Sequence, residues 1–272
     1  MENLVEVLGN ISERGNRINE DDYIGEDGFY HCSICHQPKQ CKIEVGGVPI
    51  TVNCICKCRE KEIEEEKRNT RYNNKLIRTE EYRDLQFNYS ADLKDDDGSP
   101  QTETSKKYID NFEKFKKEGN GLLMFGGVGA GKTWQAVMIA NELKKQKYIT
   151  LVTSSANVVQ ELHTREFDGK SDYLNGLSVF DLIVLDDLGA ERGTSYGQEQ
   201  MKLFIDTVYN KKISLVVTTN IPQAELKNPK EVEQARIYSR IIERCYPVVF
   251  KNEDRRRKQG QNAFNEMHEL LK

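Results

Sequence analysis

The sequence lacks an excess of positive charge: 40 lysines and arginines stand against 44 acids, a net of −4 over 272 residues. No global attraction to nucleic acid follows, and any such contact needs a local basic patch. It also lacks an apolar run long enough to span a bilayer. The start, MENLVEVLGNISERG, has neither the basic opening nor the apolar stretch of a secretory signal. Membrane association is not expected, the default expectation is a cytoplasmic protein, and in that compartment thiols stay reduced. No internal repeat is visible. What the chain does have is length enough to bury a substantial core and seven cysteines, six of them between Cys32 and Cys58.

Along the chain, Leu4, Val7, Leu8 and Ile11 fall on one helical face, either a core stripe or a docking helix. The cysteine segment follows, and then CREKEIEEEKRNTRYNNK, whose mixed charge predicts a solvated helix. KDDDGSPQTETS, residues 94 to 105, has turn formers and almost no apolar content and reads as a linker or exposed loop. From Tyr108 onward, apolar runs at 121–125, 148–154, 181–186, 214–219 and 247–251 alternate with helical segments. Continuous apolar strands separated by helices predict right-handed crossovers and a parallel sheet covered on both faces, an α/β three-layer architecture. The expected division is a module at 1–75, a linker at 76–107 and a nucleotide-binding domain at 108–272.

GGVGAGKT, Gly126 to Thr133, fits the phosphate-loop pattern and lies between a predicted strand and a predicted helix. Gly127, Gly129, Ala130 and Gly131 let backbone N–H groups turn toward phosphates at a helix N-terminus. Lys132 would reach the β- and γ-phosphates of ATP, and the Thr133 hydroxyl would ligate Mg²⁺. FDLIVLDD then runs four apolar residues into Asp186 and Asp187 at a strand's C-terminal end, where doubly wound sheets place their sites. Asp186 would hold Mg²⁺ through its water shell, and Asp187 would orient or deprotonate the attacking water. SLVVTTN ends in Asn220, either a turn former or an amide that holds water or the γ-phosphate. Arg236, Arg240 and Arg244 recur every four residues; the stripe is either a solvated face or a source of an arginine for a neighbouring subunit's nucleotide.

Cys32-x-x-Cys35 makes a knuckle, and Cys54, Cys56 and Cys58 follow a hairpin expected to turn at Gly46 and Gly47. Four thiolates make a closed tetrahedral Zn²⁺ site, structural because no position is left for substrate. The favoured set is Cys32, Cys35, Cys56 and Cys58, with Cys54 next; Cys41, His31 and His36 rank behind, and Cys245 reads as a small buried apolar residue.

The ordered set GLLMFGGVGAGKT, FDLIVLDDLGAERGT, VVTTN, RIYSRIIERC and VVF followed by arginines resembles the AAA+ helicase loaders of the DnaC and DnaI type and the related IstB transposition helpers, over roughly residues 108 to 256. The resemblance implies a P-loop AAA+ fold with a truncated lid, Asn220 as sensor 1 and Arg240 as the arginine finger, with Arg236 and Arg244 as alternatives. It places Arg255 or Arg256 near a sensor 2 position. The chain departs from the pattern at Asp187, where many relatives carry glutamate, and at Val208 before Tyr209, where an arginine is common. A small zinc-binding module before the ATPase also resembles the DnaI layout, in which that module holds the replicative helicase. The resemblance therefore implies an ATPase that self-associates, grips a hexameric replicative helicase and engages single-stranded DNA. Arg165 and Lys170, in the segment between the second and third strands, are the candidate DNA contacts, since such binding needs a local basic patch. The rival expectations are a transposition ATPase acting on duplex DNA and a non-enzymatic adaptor that binds zinc and ATP.

Overall fold

The computed structural model describes residues 18–86, 90–95, 98–190, 194–251, 264–265 and 267–272. Two compact units divide the chain, Met1–Asn73 and Asn74–Lys272. No helix among the described residues is long and apolar enough to cross a membrane. The N-terminal stripe from Leu4 to Ile11, and Arg255 and Arg256, lie outside the described residues.

In the first unit, β1 (Tyr23–Ile24) pairs antiparallel with β2 (Tyr30–His31), and β3 (Gln40–Val45) pairs antiparallel with β4 (Val48–Asn53). Val45 faces Val48, which leaves Gly46 and Gly47 as a two-residue turn with φ of 61° and 82°. Positive φ at both central residues is what such a hairpin requires, and glycine supplies it without strain. Helix α1 (Lys57–Ile77) buries no residue, as its charge pattern predicts.

The second unit opens earlier than expected. A 3₁₀ turn at Glu80–Leu85 buries Tyr82 and Leu85. The Tyr82 ring lies 4.6 Å from that of Tyr173 and 5.1 Å from that of Phe180, and its hydroxyl donates to the Tyr173 carbonyl at 2.7 Å. Helix α2 (Pro100–Asp110) starts with proline behind the Ser99 cap, whose hydroxyl accepts from the Thr102 N–H. It buries Thr102, Ser105, Tyr108 and Ile109. The expectation of a linker over 76–107 is thus corrected. A few anchors among many charges fix this stretch to the domain, because an aromatic side chain buries enough area to outweigh its polar neighbours. Helix α3 (Phe112–Glu118) follows and ends on Gly119 in the left-handed region.

The sheet consists of β5 (Gly121–Gly126), β6 (Thr150–Ser154), β7 (Leu182–Leu188), β8 (Ser214–Thr219) and β9 (Cys245–Phe250), in the order β6-β7-β8-β5-β9 and parallel throughout. Helix α4 (Lys132–Lys145) joins β5 to β6 in sequence, and α5 (Ser155–Thr164) and α6 (Phe167–Gly176) precede β7. Helix α7 (Ser195–Asn210) lies between β7 and β8, and α8 (Gln223–Lys227) and α9 (Val232–Arg244) precede β9. Alternate strand residues Leu122, Met124, Val152, Val184, Val216 and Val248 form one core with Ala136, Ile139, Ala140 and Leu143 of α4. By the pleat, Leu123, Ile183, Leu185, Leu215 and Val217 point to the other face; all are buried, as are Phe204 and Ile205 of α7 and Ile237 and Ile241 of α9. Each such side chain contributes about 1.5–3 kcal/mol when fully buried.

Parallel strands bring all five C-terminal ends to one edge. The strand order then decides what meets there: β8 lies between β5 and β7, so the residue after β8 sits between the phosphate loop and the two acids.

Candidate nucleotide and metal sites

The phosphate loop turns on Gly126, Gly129 and Gly131, with φ of 147°, 77° and 93°. A Cβ at Gly126 would collide with the Phe250 carbonyl of β9, so glycine is needed for packing as well as for its dihedral. Ala130 is buried, and Gly131 forms the N-cap of α4, which aims the positive end of a 14-residue helix at the loop. Gly127 and Gly129 complete the curve. Lys132 is buried at the first position of α4. Its ammonium donates to the carbonyls of Gly126 at 2.9 Å and Gly127 at 2.6 Å, and to Asn220 Oδ1 at 2.8 Å.

The acids are held by hydroxyls. Thr133 Oγ1 donates to Asp186 Oδ1 at 2.8 Å, the pairing that a shared Mg²⁺ site needs. Thr218 Oγ1 donates to the same oxygen at 2.5 Å and accepts from the Asp187 N–H at 2.9 Å. Asn220 Nδ2 donates to Asp187 Oδ1 at 3.0 Å. One amide therefore joins the phosphate-loop lysine to the expected catalytic acid. Ser155 Oγ donates to the Asp187 carbonyl at 2.8 Å. The sequence motifs point to Lys132, Thr133, Asp186, Asp187 and Asn220, and the structure brings all five together. They miss Thr218 and Ser155. The available signal is the threonine pair that closes the run SLVVTT and a serine pair at a strand end.

The arginine stripe on α9 divides into three roles. Arg236 is half exposed and pairs with Glu233 at 2.9 Å. Arg240 pairs with Asp206 of α7 at 2.8 Å, its side chain 30% exposed. Arg244 donates to the Tyr209 carbonyl at 2.7 Å and stacks 3.9 Å above the Tyr209 ring, so it braces α9 on α7. Arg165 is likewise committed within the fold: it bonds Glu161 at 2.8 Å and lies 3.6 Å over the Tyr173 ring. That geometry gives Arg165 a packing role within the fold, and Lys170 of α6 lies beside Tyr196.

The family model for the IstB-like ATP binding protein matches residues 59–263, most of the chain. The chain belongs to the IstB-like ATP binding protein family. Among curated relatives, the replicative helicase loader DnaI of Bacillus subtilis is 30% identical over 167 residues, which cover 55% of this chain and 53% of the relative. The uncharacterized protein YdaV of Escherichia coli is 32% identical over 104 residues, 38% of this chain and 42% of the relative. The chain thus spans about half the length of the curated relatives it matches. A solved structure, the replication initiator DnaA bound to AMPPCP and single-stranded DNA, superposes with a TM-score of 0.50 at 20% identity, covering 65% of this chain and 56% of that one. At that identity it shows the fold alone: the parallel sheet with its phosphate loop is of the AAA+ kind. This IstB-like protein accordingly belongs to an ATP-binding family and carries a phosphate-loop α/β fold.

The cysteine segment lies ahead of the residues matched to the IstB-like family. The sulfurs of Cys32, Cys35 and Cys56 lie within 4.8 Å of one another. The Cys58 thiol lies within hydrogen-bonding reach of Cys35 and Cys32. The Gln37 N–H directed at Cys35 lowers that thiol to about 6, while the neighbouring Cys35 pushes Cys58 up to about 12. The Cys35 thiolate thus disfavours a second negative charge on Cys58, and a divalent cation would relieve that repulsion. The three clustered sulfurs are compatible with a soft metal, with Cys58 beside them. The histidines are engaged elsewhere: His31 Nε2 bonds Asp27 at 2.9 Å, and His36 Nδ1 bonds the Tyr23 hydroxyl at 3.0 Å. The knuckle is braced from behind, where Asp22 accepts from the Ser33 N–H at 3.2 Å and pairs with the buried Lys39 at 2.5 Å.

Cys54 is a correction. It is joined to Cys41 in a disulfide, with Cα atoms 6.2 Å apart, and so is no metal ligand. The cause is register: Cys41 faces Val52 across the β3–β4 hairpin, which leaves Cys54 as its diagonal neighbour. The expectation that these thiols all stay reduced differs from the structure at this pair.

Proposed function

We propose that this protein is an ATP-dependent loader of a replicative DNA helicase onto single-stranded DNA in replication initiation. The observation that supports it most is the Lys132–Asn220–Asp187 connection, an arrangement for hydrolysis rather than for mere binding, in a chain homologous to a helicase loader. ATP would lie on the phosphate loop with its phosphates against Lys132 and the α4 N-terminus. Thr133 and Asp186 would hold Mg²⁺, which neutralises charge on the transferred phosphoryl group. Asp187 would accept a proton from the attacking water, and Asn220 would keep that carboxylate aimed.

Hydrolysis would be weak in the isolated chain and would rise on self-association, with Arg240 leaving Asp206 to face a neighbour's γ-phosphate. The Cys32–Cys35–Cys56–Cys58 module, holding Zn²⁺ as a structural ion, would grip the hexameric helicase, while the AAA+ unit engages single-stranded DNA. Turnover would then release the helicase on the strand.

The IstB-like family match, with the resemblance to IstB transposition helpers, leaves one second reading, an ATPase that assists transposition on duplex DNA. A loading assay separates the two. Full-length protein, hexameric helicase and a single-stranded circle are combined with ATP, and bound helicase is counted after gel filtration. A loader gives ATP-dependent retention of the helicase that Lys132→Ala abolishes; no helicase retention, with preferential binding of duplex DNA, supports the second reading.

A further inference from the structure

Four non-glycine residues among those described have φ in the left-handed region: His36, Lys147, Asp187 and Lys212. Lys147 and Lys212 follow the ends of α4 and α7, and His36 closes the cysteine knuckle, all places where a chain reverses. Asp187, with φ of 57°, lies inside a strand. The ladder between β7 and β8 shifts register there, between Leu185 and Leu188. A bulge at the C-terminal end of a buried parallel strand re-aims one side chain, and such a conformation persists where its surroundings over-determine it.

The surroundings are two buried hydroxyls from the segments on either side. Thr218 of β8, 2% exposed, accepts from the Asp187 N–H at 2.9 Å. Ser155, the residue after β6 and fully buried, donates to the Asp187 carbonyl at 2.8 Å. Thr219 extends the grip by donating to the Leu188 carbonyl at 2.7 Å. We propose that Thr218 and Ser155 are positioning residues that clamp the Asp187 backbone in its left-handed turn and so aim its short carboxylate at the hydrolytic water. The proposal rests on the ATPase reading above.

The clamp accounts for how an aspartate serves here. Its carboxylate extends one methylene less than a glutamate's, and the bulge turns it toward Asn220. In the step served, the water oxygen bonds to the γ-phosphorus as the bond from that phosphorus to the β–γ bridging oxygen breaks. ADP leaves with the electron pair, and the water's proton passes to Asp187 and then to solvent. Misplacing an acting group by an ångström costs about a hundredfold in rate.

The two hydroxyls differ in one respect that makes the inference testable. Thr218 also donates to Asp186, whereas the Ser155 bond reaches the Asp187 backbone. Full-length Ser155→Ala, Thr218→Val and Thr218→Ser are compared with wild type for kcat, KM, the Mg²⁺ dependence of fluorescent ADP-analogue affinity, and amide exchange at Asp187. Ser155→Ala should lower kcat by about ten- to a hundredfold with KM and Mg²⁺ dependence unchanged. Thr218→Val should show the same loss, a higher Mg²⁺ requirement and faster exchange of the Asp187 amide, and Thr218→Ser should restore all three. Wild-type kcat in Ser155→Ala, or a folded Thr218→Ser as impaired as Thr218→Val, overturns the clamp. If Lys132→Ala hydrolyses ATP as fast as wild type, the ATPase reading fails instead. Amide exchange then judges the clamp alone: unchanged protection of Asp187 in Thr218→Val rejects it, and lost protection supports it.

Discussion

The side-chain amide of Asn220 donates to the Asp187 carboxylate at 3.0 Å. Its oxygen simultaneously accepts from Lys132 at 2.8 Å, so the lysine that would meet the phosphates and the acid that would meet water are two bonds apart. A triphosphate offers Lys132 stronger, charged acceptors than an amide oxygen, and would draw it from Asn220 without breaking the bond to Asp187. Asn220→Ala should therefore leave nucleotide affinity within a few-fold of wild type and lower turnover by about a hundredfold, the scale of removing one positioned polar group. Steady-state kinetics beside equilibrium binding of a fluorescent ATP analogue measures both.

Lys132→Ala should act on the other quantity. With the ammonium gone, tight ATP binding is lost, because no second cation is described at the loop. Unchanged affinity by calorimetry would remove the phosphate-loop assignment.

The α9 arginines should separate by what each touches. Arg244 is spent on Tyr209, so Arg244→Ala should lower stability by about 1–3 kcal/mol through a lost carbonyl bond and cation–π contact. Arg240 pairs with a partly exposed acid, an interaction worth about 0.2–1 kcal/mol and readily exchanged for a phosphate. Arg240→Ala should keep near-wild-type stability and nucleotide binding while turnover in the assembled state falls. Urea melts and ATPase rates at rising protein concentration distinguish the two variants, and normal turnover in Arg240→Ala discards the finger role.

Much of this site is legible in the sequence because phosphate recognition constrains the backbone. Gly126, Gly129 and Gly131 are needed for their dihedrals, and Asp186 and Asn220 must lie close to the C-terminal ends of their strands. The five strands are equally legible, since burial on both faces leaves a continuous apolar signal. Tyr82 is not, because a single anchor in a charged segment has no period. Neither is Ser155, whose part depends on β6 lying next to β7, a neighbour relation set by topology. The Cys41–Cys54 pairing fails for the same reason: it follows from the register of a hairpin, and spacing alone leaves Cys54 as good a ligand as Cys56.

Asp181, buried at the foot of β7, accepts from the Ile149 N–H at 2.8 Å and pairs with Lys75 at 2.7 Å and Lys116 at 3.0 Å. Burial pushes its carboxyl up, but the bonds from Lys75, Ile149 and Lys116 outweigh burial and hold it below the usual value. A depressed carboxyl contributes stability that is present above its unfolded pKa and is lost as pH falls through the folded one. Stability of the wild type should thus decline as pH drops below the ordinary carboxylate range. In Asp181→Asn that decline should be shallower, from a starting point about 1–3 kcal/mol lower at pH 7. Urea midpoints taken from pH 7 to pH 3 test it; parallel curves would show that Asp181 is not the responsible group.

The partition of the cysteines gives the sharpest contrast between spacing and structure. Cys54 and Cys56 are two residues apart, yet one is bonded to Cys41 and the other faces Cys32 and Cys35. Purified protein should carry about one zinc per chain. Cys56→Ser should lose it, because an alcohol is a poor ligand beside three thiolates, and the unit built around the knuckle should loosen. Cys54→Ser should keep it and should free Cys41 for alkylation. Metal content by mass spectrometry, with thiol counting before and after denaturation, reads both outcomes. Zinc retained in Cys56→Ser but lost in Cys54→Ser would exchange the roles of the two residues, and the hairpin register would then have to shift to bring Cys54 to the metal.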